Sequence, residues 1–99
     1  MIEGFAVEVV DDTIRISGDL DAHTAGHLNE VIASQLAAGR DEIVLDLAAL
    51  QFLDSSGLRS MVLARGADGN GKVVLRSPST SVMRLLEITG LAEVFDIER

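Results

Sequence analysis

The chain has 99 residues, 47% of them hydrophobic and 24% charged, which is the balance of one small globular domain, expected over residues 1–99. A disordered tail, a collagen-like fibre and a coiled coil are excluded, and the absence of cysteine excludes disulfides, thiolate catalysis and Cys-ligated zinc. Sixteen acidic residues against eight basic ones give a net charge of -8, which disfavours direct nucleic-acid binding and an anionic membrane surface.

Phe5–Val10 alternates, with Phe5, Val7 and Val9 on one face, and reads as a strand. Asp11-Asp12 is a tight turn, and Thr13–Ser17 alternates again with Ile14 and Ile16 inward, so a hairpin opens the chain. Gly18-Asp19-Leu20-Asp21 reads as a loop. From about Thr24 the period changes: Leu28, Val31, Ile32 and Leu36 form one helix stripe, and Gly39 stands where a C′ glycine stops it. Ile43–Leu47 is a nearly continuous apolar run, expected to be a central strand covered on both faces. A second helix is expected from Asp54-Ser55 to about Arg65, with Leu58, Met61 and Val62 on one face.

Gly66, Gly69 and Gly71 then break the chain, and Val73–Leu75 is another buried strand. Ser77-Pro78-Ser79 starts a helix with the stripe Val82, Leu85, Leu86 and Thr89, and Gly90 ends it. Val94–Ile97 is a last short strand. The order β-β-α-β-α-β-α-β predicts an α/β domain with a mixed sheet and packed helices. No uncharged apolar run approaches the roughly 20 residues of a membrane span. Met1-Ile2-Glu3-Gly4 shows no basic start and no secretory signal, so a cytoplasmic address and no membrane insertion are expected.

The unusual segment is Leu53-Asp54-Ser55-Ser56-Gly57-Leu58, between an aliphatic strand and a helix. Carboxyl ends of strands in open α/β sheets are where such folds place their sites. Read from the residues alone, the segment is first a helix N-cap, since Asp and Ser oxygens accept the unpaired N–H groups of a first turn. Two serines and a glycine exceed what a cap needs, however, and Gly57 in a first turn costs about 1 kcal/mol against Ala. The second reading is a docking surface that Gly57 keeps flat. A phosphate on a serine there would meet the positive end of the helix.

Together these elements resemble the STAS-domain anti-sigma factor antagonists, also called anti-anti-sigma factors. The resemblance rests on Gly18-Asp19-Leu20-Asp21 with Thr24-Ala25 and Leu28, on Ile43–Leu47, and on Phe52-Leu53-Asp54-Ser55-Ser56-Gly57-Leu58. It continues through Ser77-Pro78, Val82, Arg84-Leu85-Leu86, Thr89-Gly90-Leu91 and Val94–Ile97. It implies a small bacterial STAS-like regulator of transcription that works by partner switching and is not an enzyme. The unphosphorylated form would bind an anti-sigma factor serine kinase and so release the sigma factor. The kinase would phosphorylate the serine after the motif aspartate, here Ser55, making this a phosphoprotein, and a metal-dependent serine phosphatase would restore it. The implied partner-binding residues are Asp19, Asp21, His23, Asp54, Ser55, Ser56, Gly57 and Arg59. The alternative within the same fold is an accessory subunit of a phospholipid transport or stress-sensing complex.

Three other chemistries fit poorly. A hydrolase with Ser55 as nucleophile and His23 or His27 as base lacks the Gly-x-Ser-x-Gly elbow, and Asp54 would repel an oxyanion, so no catalytic residue is assigned. Gly66–Gly71 lacks the Lys-Ser/Thr ending of a phosphate loop and precedes a strand. His23 and His27 are four apart without an accompanying carboxylate or thiol at metal spacing, so neither metal nor cofactor is expected.

Overall fold

The computed structural model describes residues 4–99; Met1–Glu3, on which the expected lack of a leader partly rests, lie outside them. The hairpin is present: β1 (Phe5–Val10) pairs antiparallel with β2 (Thr13–Leu20) across a turn in which Asp11 and Asp12 both take positive φ, 49° and 68°. That left-handed pair matches the right-handed twist of the strands. Helix α1 (Ala25–Ala37) follows, then β3 (Glu42–Leu53), α2 (Ser55–Leu63), β4 (Lys72–Arg76), α3 (Thr80–Thr89), a 3-10 turn (Ala92–Val94) and β5 (Asp96–Glu98). The sheet order is β1-β2-β3-β4-β5, and every pairing after the hairpin is parallel. The fold is the α/β domain with a mixed sheet that the element order predicts.

One face of the sheet holds the core. Ile14, Leu45 and Leu75 are adjacent in register and at most 1% exposed. Leu28 and Ile32 of α1, Leu58 and Met61 of α2, and Val82 and Leu86 of α3 close over the same cluster. The three helical stripes read from the sequence therefore share one core.

The other face is open, which corrects the expectation for β3. Val44 and Asp46 alternate with the buried Ile43, Leu45 and Leu47 and are only half-buried. Along one row of this open face stand Glu8, Arg15, Asp46, Arg76 and Glu98, each opposite the next in register. Their signs alternate across all five strands. Arg15 lies 3.9 Å from Glu8 and 3.7 Å from Asp46, and Arg76 lies 3.0 Å from Glu98. Opposite charges facing across strands contribute about 0.2–1 kcal/mol per pair.

Three boundaries differ from the sequence reading. Gly18, Asp19 and Leu20 extend β2 rather than forming a loop. Gly18 has φ 85°, and a side chain there would collide with the backbone of Gly4, so its loop-like chemistry serves a close strand crossing. Strand β3 runs to Leu53 because it carries two extra residues relative to β2, one between Asp46 and Ala49 and one between Leu50 and Phe52. Phe95 precedes β5 and is buried in the core, following the 3-10 turn that interrupts the expected strand. No helix among the described residues is long and apolar enough to cross a membrane.

Candidate functional site

The site forms where β2 and β3 end side by side. Leu20 pairs with Leu53, and the next amide, Asp54 N–H, donates to the Leu20 carbonyl at 3.2 Å. Asp21 and the loop into α1 therefore lie beside the start of α2. Asp54 has extended backbone at the N-cap, and its Oδ1 accepts from Gly57 N–H at 3.1 Å. This is the cap expected from the sequence, and it satisfies one of the first-turn donors.

Capping occupies Asp54 and leaves the serines to differ by position. Ser55 is the first residue of α2 and is exposed; Ser56 is half-buried, and its carbonyl accepts from Ser60 Oγ at 3.3 Å. Arg59 is exposed one turn further along and forms no ion pair among the described residues, with Asp54 or any other carboxylate.

Gly57 corrects an expectation. It is buried, and so offers no flat surface to a partner. A Cβ there would lie 2.6 Å from Leu53 Cδ1, 2.7 Å from Leu20 Cγ and 2.8 Å from the Leu20 carbonyl oxygen. The glycine lets α2 start against the ends of two strands. It positions Ser55 from beneath.

The loop from Asp19 to Thr24 is built around a buried hydroxyl. Thr24 is 2% exposed; its Oγ1 accepts from Asp21 N–H at 2.8 Å and donates to the Asp19 carbonyl at 2.9 Å. Asp21 Oδ1 accepts from His23 N–H at 2.9 Å, so its carboxylate braces the turn before α1. Thr24 makes no cap bond to its own helix. Asp19 and His23 are exposed. His27 stands edge-on to Phe5, with ring centroids 6.2 Å apart, and no group of three potential metal ligands occurs among the described residues.

Sequence reasoning missed two contributors. Thr24 was read as the edge of a helix, although a threonine between two aspartates and a helix is a hint of loop bracing. Phe52 is 51% exposed and stands opposite Asp19 on the open sheet face. The sequence reading ended β3 at Leu47 and so gave Phe52 no face.

A family model for the STAS domain matches residues 5–99. The chain belongs to the STAS domain family. Among its STAS relatives, an anti-sigma-B factor antagonist of Staphylococcus epidermidis is 28% identical over 86 residues, spanning 85% of this chain and 80% of its own length. An anti-sigma-B factor antagonist of Staphylococcus aureus is 29% identical over the same shares of each chain. The solved structure of the anti-sigma factor antagonist SpoIIAA in its unphosphorylated form superimposes with a TM-score of 0.72 at 26% identity, covering 96% of this chain and 88% of that one. An anti-sigma factor antagonist from Mycobacterium paratuberculosis gives 0.71 at 31% identity, covering 95% and 83%.

Proposed function

We propose that this chain, acting as one STAS domain, is an anti-sigma factor antagonist controlled at Ser55. Unmodified, it binds an anti-sigma factor that is also a serine kinase and so frees the sigma factor. The kinase transfers the γ-phosphoryl group of ATP to Ser55 Oγ, releasing ADP and a proton, and the complex separates. A serine phosphatase removes the phosphate by hydrolysis. The domain contributes a surface and an acceptor hydroxyl, and the catalysis belongs to its partners.

The observation that carries this reading is the exposed hydroxyl of Ser55 at the first position of α2, beside an aspartate already engaged in capping. A kinase needs an accessible hydroxyl, which favours Ser55 over the half-buried Ser56. The partner surface comprises Asp19, Asp21, His23, Asp54, Ser55, Ser56 and Arg59, with Gly57 supporting it from below.

A phosphate adds about 1.5 to 2 negative charges at one point. That point already adjoins the Asp54 carboxylate and the Asp19–Asp21 turn. Moving a bound population from 99:1 to 1:99 takes about 5.5 kcal/mol. Like-charge juxtaposition and a desolvated phosphate each reach several kcal/mol at an interface, so one modification suffices without refolding the domain.

The test compares Ser55→Ala and Ser55→Asp in pull-downs with the anti-sigma kinase and ATP. Ser55→Ala stays bound and Ser55→Asp binds weakly. Intact mass after kinase treatment rises by one phosphate in the wild type and not in Ser55→Ala. Equal binding by both variants sinks the switch.

A further inference from the structure

We infer that Phe52 is the apolar anchor of the partner interface, seated in a hydrophobic pocket of the anti-sigma factor whose rim is basic. This rests on the reading of Ser55 as the switch and extends it to a residue not among the implied partner-binding residues.

Phe52 is a large aromatic left 51% exposed three residues before Ser55. The extra residue between Leu50 and Phe52 turns it onto the open face, while Leu53 pairs inward with Leu20. The β4 ladder stops at Asp46–Arg76, so beyond that point β3 has a neighbour only on the β2 side. On the vacated side lies a cleft of about 270 Å³ between the end of β3 and the first turns of α3, walled by Phe52, Val82 and Leu85. Exposed aromatics beside a recess are where interface energy concentrates.

Charge identifies the occupant. All five ion pairs among the described residues lie elsewhere: on the open-face row, between Arg40 and Asp12, and between Lys72 and Glu42. Asp19, directly opposite Phe52, has no cationic partner among the described residues, nor do Asp21 and Asp54. Three carboxylates thus lie on the strand end and loops next to the aromatic, with Arg59 of α2 and Arg84 of α3 the guanidiniums on the flanking helices that form no ion pair among the described residues. A complementary protein surface presents lysine or arginine around an apolar recess. A second copy of this acidic chain meets the patch with like charge, and a lipid surface rich in anionic headgroups is repelled by it.

The same position makes Phe52 part of the switch. A phosphate on Ser55 arrives at the edge of the anchor's footprint, where the partner has excluded water. Loss of binding then reflects an anchor that can no longer seat.

The experiment measures the Kd of the purified anti-sigma kinase that the wild-type chain binds, against wild type, Phe52→Ala, Phe52→Leu and Asp19→Asn. Val9→Ala is the control, since Val9 is 47% exposed on the edge strand near the hairpin turn. Truncating an aromatic hot spot weakens binding about 30-fold or more. Phe52→Ala shows that loss, Phe52→Leu falls between it and wild type, and Val9→Ala matches wild type. Asp19→Asn slows association at low salt and flattens the salt dependence. Thermal midpoints of all variants exclude unfolding as the cause. Wild-type affinity in a folded Phe52→Ala overturns the anchor and leaves the Ser55 switch standing. Failure of the wild-type chain to bind any anti-sigma kinase overturns both.

Discussion

Replacing Gly57 by alanine sets two effects of known size against each other. Alanine is the better helix former by about 1 kcal/mol, so propensity alone predicts a more stable protein. The structure predicts the reverse. The new methyl would stand 2.8 Å from the Leu20 carbonyl oxygen and 2.7 Å from Leu20 Cγ. Leu20 is fully buried, and its carbonyl accepts from Asp54 N–H, so it cannot retreat without loosening the end of the sheet. Overpacking of this kind costs about 1–3 kcal/mol. Weakening the Asp54 bond adds about 0.5–1.5 kcal/mol. After subtracting the propensity gain, Gly57→Ala loses about 0.5–3.5 kcal/mol, centred near 2. At about 4–8 °C per kcal/mol for a domain of this size, the central value lowers Tm by roughly 8–16 °C. Gly26, near the start of α1, is the matched control, because a methyl there meets nothing within 4 Å. Gly26→Ala gains up to about 1 kcal/mol. Urea and thermal unfolding of both variants decide the matter. A Gly57→Ala protein as stable as Gly26→Ala would refute the packing argument and return Gly57 to the role of a docking platform.

Two further stability predictions follow from the loops. Thr24→Val removes a buried hydroxyl that serves Asp21 N–H and the Asp19 carbonyl, and lowers stability by about 1–3 kcal/mol in urea titration, whereas Thr24→Ser retains most of it. Arg40, hydrogen-bonded to Asp12, holds that carboxyl below its ordinary value of 3.8. A lowered folded-state pKa means the pair stabilises above the ordinary value and loses its effect as pH falls through the folded one. Because Asp12 is exposed the effect is small, and the urea midpoints of wild type and Asp12→Asn converge as pH is lowered from neutrality.

Much of this architecture was legible because side-chain period survives in short elements. Ile14 and Ile16 announced β2, Leu28 and Ile32 announced α1, and Asp54 announced the cap that begins α2. What escaped was the length of β3. One extra residue in a strand exchanges its two faces, and the two in β3 cancel, so counting from Leu45 does put Phe52 on the open face; but the apolar run stops at Leu47, and nothing in it carried the strand on to Leu53. Asp46 accepts from Ala48 N–H at 3.0 Å, a local bond at the first irregularity that no periodicity reports. Gly18 and Asp19 carry turn chemistry yet lie in a strand, because the glycine answers a close approach from Gly4. At the site, the motif pointed to Ser55, whereas the burial of Gly57 depends on Leu20, distant in sequence and adjacent only after folding.

The row from Glu8 to Glu98 also governs what the uncovered flank will tolerate. A second layer laid across it would have to strip water from five ionised side chains whose mutual attractions are already spent within the row. Desolvating them returns little, so stacking flank on flank is disfavoured. The flank stays wet, and the proposed docking surface is left to the end of the sheet, where Asp19, Asp21 and Asp54 form no ion pair among the described residues.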